Sequence, residues 1–425
     1  MIAWLLISFF ILLFFGVPIA MSLGLASMGG IIFLHASGTV TIAQRMFEGM
    51  NSFALLAIPL YTFAGFTMSK GGISKRLMDF CYSIVGHIYG GLAHVNVLSS
   101  MIFAGISGSA VADTAGVSGM FMPEMIRKGY SKKLTVAVTA ISSTIGIIIP
   151  PSIPMVVIAG ICGISTGKLF LGGIIPGIML GLAQMIVSYF IAKKEGVPKE
   201  PGHFNFKAVC KGFMGSLPAL LMPIIIVGTI TTGVVSPTEA GAIAVAYGLI
   251  AGGLIYRELT WADIKFAFAE TVRTSGKIFV VIAAAKLYTV LLTTAGFDKW
   301  VANTMLGFTT NPTIILIIIL LIFFVVTMFM ESIATLTLFM PILFPIATSV
   351  GVDPIVLSVL ITVVLGVGLV TPPVGMCIYV ACDLMDIKVG EVFPTLIPFL
   401  IGTFICIGIF IAFPQLVLLP TYLMG

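Results

Sequence analysis

The stretch GIIIPPSIP at residues 146–154 decides the fold: a pair of prolines interrupts an apolar run there, and GLVTPPVG at residues 368–375 repeats the interruption. Proline has no amide hydrogen, so within a helix the carbonyl four residues earlier loses its partner. In hydrocarbon that carbonyl is costly unless a cation, a water or a polar group meets it. One such pair would suit a simple kink in a packed helix. Two pairs at matching positions predict broken helices whose carbonyls and helix ends form a functional site. The carbonyls freed in this way belong to Gly146, Ile147, Pro150, Gly368 and Leu369.

The composition places the chain in a membrane. Of its 425 residues, 59% are hydrophobic and 9% are charged, and the mean hydropathy is +1.20. A soluble domain carries about 25% charged residues. These values exclude a soluble enzyme, a nucleic-acid-binding protein and a disordered chain, and they predict an all-α polytopic membrane protein. The six cysteines form no C-x-x-C motif and no Cys/His cluster, so neither a metal centre nor a disulfide framework is indicated.

The apolar runs predict ten membrane spans and two re-entrant hairpins. Residues 2–34 would form a helix of about 50 Å, too long for one crossing, so we expect a break at residues 16–18. The runs 92–126 and 312–349 carry polar residues near their middle. We interpret both as hairpins that enter and leave on the same side, although two full spans would give the same topology. The other runs lie at 51–68, 134–161, 169–192, 216–232, 237–256, 274–295, 354–382 and 391–413, and the amphipathic segments 73–89 and 297–308 are predicted to lie along the interface.

The distribution of cations supports this layout. It places 17 of the 21 Lys and Arg residues on one side and three on the other, with Lys286 inside a span. The positive-inside rule makes the richer side cytoplasmic, which puts both chain ends in the periplasm. The first apolar run has no basic region before it, so we expect a retained span and not a cleaved signal peptide.

The two halves of the chain repeat. Matching pairs are Phe121-Met122-Pro123 with Phe339-Met340-Pro341, Pro150-Pro151 with Pro372-Pro373, Pro176 with Pro398, and Pro18 with Pro237. Five spans and one hairpin in each half force the copies into opposite orientations, the inverted-repeat plan of secondary transporters. The predicted repeats are residues 1–212 and 213–425, with the segment 193–215 as the joint. The Phe-Met-Pro alignment places Glu331 opposite Asp113.

The hairpin middles hold the candidate polar groups. Ser107 and Ser109 offer hydroxyls, although Gly105 and Ser109 also fit a small-residue packing motif. Acidic residues at membrane depth, here Asp113 and Glu331, are usually functional, and the alternative is structural hydrogen bonding near a turn. Residues 236–239 are predicted to form a helix capping box. Lys286 could line a path, extend to the interface or contact a partner subunit.

An enzymatic interpretation finds little support. Residues 105–108 match the G-x-S-G of intramembrane serine proteases, but a serine nucleophile needs a base. The histidines are His35, His87, His94 and His203, and none falls in a later span. The chain has no G-x-x-x-x-G-K-[ST] motif, so ATP does not drive it directly.

Taken together, several stretches resemble one known family. LLAIPLYTFAGFTMSKGGISKRL, GHIYGGLAHVNVLSSMIFAGISGSAVAD, IIPPSIPM, LFLGGIIPG, SPTEAGAIAVAYGLI and GLVTPPVG are similar to the large membrane subunit of tripartite ATP-independent periplasmic (TRAP) transporters, the DctM/SiaM type. The similarity runs nearly end to end. It implies an elevator-type Na⁺-coupled importer in the bacterial inner membrane. It also implies three kinds of partner: a small four-span membrane subunit, a periplasmic substrate-binding protein and a carboxylate, such as a C4-dicarboxylate, sialic acid or another sugar acid.

The resemblance also implies binding residues. One Na⁺ site would involve Ser107, Ser109, Gly146 and Pro150, and a second would involve Ser332, Thr335, Gly366, Gly368 and Thr371. The substrate would lie between them, near Asp113, Ser152, Glu331 and Pro373. A stand-alone Na⁺-coupled carboxylate transporter or an ion antiporter is the alternative, and gene neighbourhood would discriminate between the two.

Overall fold

A computed structural model describes residues 1–34, 38–197 and 205–424, and every regular element within them is helical. His35, His203, Lys199 and the middle of the predicted joint lie outside the described residues. The helices are α1 (Ile2–Phe14), α2 (Ile19–Leu34), α3 (Val40–Met50), α4 (Ala57–Lys70), α5 (Ile73–Val85), α6 (Gly91–Ser107), α7 (Ala110–Arg127), α8 (Lys132–Ser143), α9 (Ile153–Cys162), α10 (Thr166–Lys194), α11 (Phe206–Thr231), α12 (Pro237–Ile250), α13 (Trp261–Thr294), α14 (Phe297–Phe308), α15 (Pro312–Thr327), α16 (Ser332–Ser349), α17 (Pro354–Gly368), α18 (Met376–Met385), α19 (Val389–Ala412) and α20 (Gln415–Leu418). Short 3₁₀ turns lie at Phe53–Leu56, Thr144–Ile147 and Leu419–Met424, and a π turn lies at Ala251–Ile255.

Seven helical segments of the described chain are long and apolar enough to cross a membrane: Phe53–Lys70, Thr166–Lys194, Phe206–Thr231, Pro237–Ile255, Trp261–Thr294, Ser332–Ser349 and Val389–Ala412. The other apolar helices are shorter. The break predicted at residues 16–18 is confirmed, because α1 ends at Phe14 and α2 begins at Ile19. Two helices, α3 and the four-residue α20, were not predicted, and α3 is the longer. Helix α3 carries Arg45 and Glu48, so it lacks the long apolar run by which the other helices were found.

Both predicted hairpins are pairs of helices joined by a tight turn. In the first, α6 meets α7 at Gly108, whose φ of 64° is left-handed. A methyl group there would lie 2.7 Å from the Pro151 carbonyl oxygen, so glycine is required by both conformation and space. In the second, α15 meets α16 across residues 328–331. We call the turns 107–109 and 328–332 the first and second hairpin tips.

Both predicted breaks are present. Regular helix stops at Ile147 and resumes at Ile153, and in the second half it stops at Gly368 and resumes at Met376. Both Pro-Pro peptide bonds are cis. The prolines end the first half-helix of each pair because they cannot donate to its carbonyls. The result is a short half-helix, α9 or α18, after each break.

The helix ends show how the two halves correspond. Helices α7 and α16 each have 18 residues, begin 222 positions apart and hold a proline, Pro123 or Pro345, at the same helical position. This register pairs Glu331 with Ser109, since both are the N-cap of their helix. The Phe-Met-Pro alignment, which paired Glu331 with Asp113, was therefore wrong by one helical turn.

The two halves also pack on each other. Helix α7 of the first half packs on α18 of the second, and α16 of the second half packs on α9 of the first.

The first hairpin is held by side-chain hydrogen bonds that the second lacks at the matching positions. Asn96 of α6 donates to Thr139 Oγ1 of α8 at 2.7 Å and accepts from Ser142 Oγ at 3.2 Å, and Ser100 donates to Ser142 at 3.0 Å. The positions 222 residues later are Ile318, Ile322, Ile361 and Val364. Helix α15 instead exposes apolar side chains such as Ile317 and Leu321.

Candidate functional site

A cavity of about 1120 Å³ lies between the two hairpin tips on one side and helices α4 and α13 on the other. Five predicted site residues line it: Ser107, Ser109, Asp113, Glu331 and Ser332. The N-terminal turns of α7 and α16 also face it, through residues 110–112 and 332–334. Helix N-termini carry a partial positive charge. The side chains of Ser109 and Glu331 accept from three of the amides in these turns, those of Ala112, Ile333 and Ala334.

The first hairpin tip is fastened to the first broken helix. The Ser107 hydroxyl donates to Asp113 Oδ1, while Asp113 Oδ2 is buried and has no hydrogen-bond partner in the described part of the chain. A methyl group on Gly146 would lie 2.1 Å from that free oxygen. The Ile153 amide donates to the Gly108 carbonyl at 3.3 Å. The tip and the break therefore surround one unpartnered carboxylate oxygen.

The second tip is built differently. Glu331 caps α16, with its Oε2 accepting from the amides of Ile333 at 3.0 Å and Ala334 at 3.2 Å. Thr335 Oγ1 donates to the Glu331 carbonyl at 3.1 Å. The Ser332 hydroxyl is buried and has no partner among the described residues. It is the free oxygen of this tip.

The second tip also meets the second break. The Val374 amide donates to the Met328 carbonyl at 3.0 Å. A methyl group on Gly368 would lie 2.6 Å from Thr327 Cβ, so α17 and the end of α15 are in close contact. A methyl group on Gly366 would lie 3.2 Å from Thr144 Cβ, so the two broken helices are also in close contact with each other.

Several of the predicted free groups have protein partners. The Ser152 hydroxyl donates to the Ile147 carbonyl at 2.5 Å and accepts from the Met155 amide at 3.3 Å, which caps α9. The Leu369 carbonyl accepts from the Cys377 amide at 2.9 Å, and the Gly368 carbonyl accepts from the Thr371 amide at 3.2 Å. The predicted site residues that do not line the cavity are Gly146, Pro150, Ser152, Thr335, Gly366, Gly368, Thr371 and Pro373.

The structure bears on two further predictions. The predicted capping box is confirmed, since the Ser236 amide donates to Glu239 Oε2 at 2.7 Å and the Glu239 amide donates to Ser236 Oγ at 3.3 Å. Lys286 packs against α3: a methyl group on Gly49 of that helix would lie 2.6 Å from Lys286 Cβ. Lys286 is not among the residues that line the cavity.

The far wall of the cavity was missed by the sequence analysis. Lys70, Phe266, Thr274 and Lys277 belong to it. The cation count placed both lysines in cytoplasmic loops. Lys277 nevertheless falls inside the predicted span 274–295, and this was the signal that could have placed it on a helix.

Hairpins and broken helices around a central cavity are the construction of a secondary transporter. Solved transporters share this fold. The Alcanivorax borkumensis YdaH transporter matches with a TM-score of 0.60 over 88% of both chains at 12% identity. Neisseria gonorrhoeae MtrF matches with a TM-score of 0.53 over 88% of this chain and 84% of that chain, at 14% identity.

The family follows from the sequence comparison. Residues 6–416 match the profile of the tripartite ATP-independent periplasmic transporter, DctM component, and the chain belongs to this family. It is 35% identical to the sialic acid TRAP transporter large permease protein SiaM of Vibrio cholerae over 97% of both chains. It is 33% identical to the 2,3-diketo-L-gulonate large permease protein YiaN of Escherichia coli over 95% of both. It is 34% identical to the C4-dicarboxylate large permease protein DctM of Pseudomonas aeruginosa, over 89% of this chain and 88% of that one.

Proposed function

We propose that this chain is the large permease subunit of a Na⁺-coupled importer of a small carboxylate in the bacterial inner membrane. The observation that carries the proposal is the cavity wall made by the two hairpin tips. That wall combines two helix N-termini, which favour an anion, with the free oxygens of Asp113 and Ser332, which favour a cation. The three relatives named above are permeases for sialic acid, diketogulonate and C4-dicarboxylates, all of which are carboxylates.

The oxygen donors at the tips fit a small hard cation. Carboxylate, hydroxyl and carbonyl oxygens are the ligands that such ions prefer. At the first tip we propose that Ser107, Ser109, Gly146 and Pro150 hold Na⁺, with Asp113 Oδ2 as the free acceptor beside them. At the second tip we propose Ser332, Thr335, Gly366, Gly368 and Thr371. Bound Na⁺ would supply positive charge next to the substrate carboxylate.

The substrate is proposed to lie between these sites, near Asp113, Ser152, Glu331 and Pro373. In that position Glu331 would hold the start of α16 through its two amide hydrogen bonds, while Ser152 would hold the start of α9. The two helix starts would then face the carboxylate from both halves of the chain.

Movement is proposed to follow the elevator mechanism. Two inverted repeats, 1–212 and 213–425, would supply ten spans and two re-entrant hairpins. The exchanged packing of α7 on α18 and α16 on α9 supports one body that carries the tips and the breaks. The contacts of α4 with α12 and α13, and of α2 with α13, support a second body against which the first would slide.

The partners are proposed to be a small four-span membrane subunit and a periplasmic binding protein. The family's tripartite architecture supports both. Two Na⁺ entering with a monoanion would carry one net positive charge inward. A membrane potential of 100 mV then contributes about 2.3 kcal/mol per substrate.

The test is uptake into liposomes that contain this chain and the small subunit encoded beside its gene. Labelled N-acetylneuraminate and succinate are supplied with an inward Na⁺ gradient, with and without the neighbouring binding protein. We expect uptake that needs both Na⁺ and the binding protein, and that is lost in Asp113→Asn. Na⁺-driven uptake without the binding protein would instead support a stand-alone transporter, and Na⁺ movement without any acid would support an antiporter.

A further inference from the structure

The cavity lining holds two carboxylates, Asp113 and Glu331, at the hairpin tips and two lysines, Lys70 and Lys277, on the opposite wall. Its two carboxylates are engaged at the hairpin tips: Asp113 accepts from Ser107, and Glu331 accepts from the first amides of α16. Its two lysines, Lys70 and Lys277, have no carboxylate within 4.0 Å in the described part of the chain. An anion in the cavity would therefore meet two lysines that have no carboxylate at ion-pair distance in the described part of the chain.

These two lysines line the same wall of the cavity at different positions along the axis of α13. Lys70 is the last residue of α4, and its ammonium is 4.7 Å from the centre of the Phe266 ring of α13. Lys277 comes 11 residues after Phe266, which is about 16 Å farther along the axis of α13. Thr274 and Ile278 line the same wall beside Lys277.

Helix α13 carries other charges besides Lys277. Arg273 donates to Glu270 at 2.7 Å, and the Asp263 carboxylate accepts from the Thr260 amide at 3.0 Å. Asp263 also interacts electrostatically with Lys70, so both charges set the potential at that end of the wall.

We propose that Lys277 and Lys70 form a two-step anion path, which leads a carboxylate or sulfonate from the hairpin tips toward the C-terminal end of α4. Its use in transport rests on the proposed function, but its electrostatic basis does not. A lysine ammonium is a strongly hydrated point charge on a flexible stem, whereas arginine binds carboxylates in a rigid bidentate fork. Two lysines in series therefore attract an anion without holding it in one geometry, as a passage requires.

The test measures the potential at each lysine without needing the substrate. Single reporter cysteines, Thr274→Cys beside Lys277 and Ser69→Cys beside Lys70, are placed in a background with Cys162 and Cys210 changed to serine. Detergent-solubilised protein is treated at 0.15 M salt with the anionic reagent 2-sulfonatoethyl methanethiosulfonate, the cationic trimethylammonioethyl reagent, and neutral methyl methanethiosulfonate. Lys277→Gln, Lys70→Gln and the control Lys265→Gln, an exposed residue of α13 that is not among the cavity lining, are each combined with the reporters.

We expect Lys277→Gln to slow the anionic reagent at the Thr274→Cys reporter by about 1.5-fold and to speed the cationic one by a similar factor, the effect of one unit charge about 7 Å away in water at this salt concentration. Lys70→Gln should do the same at the Ser69→Cys reporter. Each lysine should leave the distant reporter nearly unchanged, because the separations along α13, about 12 Å from Phe266 to Thr274 and about 16 Å from Phe266 to Lys277, exceed the screening length of about 8 Å. The neutral reagent should react equally with all variants, which shows that the fold and access are kept.

The proposal is overturned if the lysine variants alter charge selectivity no more than Lys265→Gln does. Na⁺-driven uptake by the wild type together with unchanged selectivity would reject the anion path alone. Shifted selectivity in a chain that imports no acid would reject the proposed function and leave the anion-attracting wall standing.

Discussion

A methyl group built on Gly146 would lie 2.1 Å from Oδ2 of Asp113, so the first broken helix and the first hairpin can meet only at a residue without a side chain. Carbon and oxygen atoms that are not bonded do not approach so closely. The buried carboxylate oxygen is thus walled in by backbone on the side of Gly146. This contact joins α7 to the turn after α8, and it fixes where the free oxygen points.

Gly146→Ala should displace Asp113 from the first tip. We expect a loss of stability of about 1–3 kcal/mol from overpacking. Na⁺ affinity should fall by about tenfold, which corresponds to about 1.4 kcal/mol. Thermal unfolding and the Na⁺ dependence of uptake measure the two effects. The control is Gly119→Ala on α7, where the added methyl meets nothing within 4 Å. Equal behaviour of both variants would contradict a role for the close approach.

Ser332→Ala should impair function without unfolding the chain. Its hydroxyl is buried and unpartnered, so its removal frees no donor or acceptor elsewhere in the described chain. We expect Na⁺-driven uptake to need about tenfold more Na⁺, equivalent to about 1.4 kcal/mol, with the melting temperature unchanged. Ser118→Ala is the matched control, because that hydroxyl is also buried and unpartnered among the described residues but does not line the cavity. An identical Na⁺ dependence in both variants would remove Ser332 from the site.

Glu331 both caps α16 and carries a negative charge. Two substitutions distinguish the effect of the cap from the effect of the charge. Glu331→Gln keeps an oxygen that can accept from both amides, so stability should be retained while Na⁺ affinity falls. Glu331→Ala also loses the cap, at a cost of about 1 kcal/mol. Asp353→Ala removes a similar cap, with amide distances of 2.8 and 3.0 Å, away from the cavity. It should lower the melting temperature and spare the Na⁺ dependence. Unchanged Na⁺ affinity in Glu331→Gln would show that only the cap matters.

The polar contacts between α6 and α8 should be energetically coupled. Asn96→Ala and Ser142→Ala each leave buried partners unsatisfied, at about 1–3 kcal/mol apiece. The double variant should lose less than the sum, with a coupling of about 0.6 kcal/mol, as found for hydrogen bonds between membrane helices. Denaturant unfolding of the four proteins completes the cycle. Strict additivity would mean that the two side chains act independently.

The sequence allowed the hairpins and the breaks to be predicted because their causes are local. Paired prolines end a helix wherever they occur, and a glycine in the middle of a polar stretch permits the turn at Gly108. The contact between each tip and its break followed from the family resemblance. Five of the predicted site residues line the cavity, while Ser152 and Thr371 turn out to be held by hydrogen bonds to nearby backbone carbonyls.

The features of the fold and of the cavity that were not predicted depend on contacts between segments distant in the sequence. The packing of α7 on α18 and the wall formed by Lys70 and Lys277 bring together residues more than two hundred positions apart. No local pattern encodes such pairs. The correspondence of Glu331 with Ser109 also required the helix ends, because a short Phe-Met-Pro match is too small to fix a register. Helix α3 was not predicted because Arg45 and Glu48 interrupt its apolar residues, so it forms no long apolar run.

The unequal hairpins have a consequence for biogenesis. Helix α6 carries His94, Asn96 and Ser100 on buried positions, whereas α15 is apolar throughout its middle. Polar residues near the centre of a segment disfavour its release from the translocon into lipid, and apolar ones favour it. Helix α15 can therefore partition into the bilayer as soon as it leaves the ribosome. Helix α6 is expected to stay at the translocon until α8, which supplies its hydrogen-bond partners, has been synthesised.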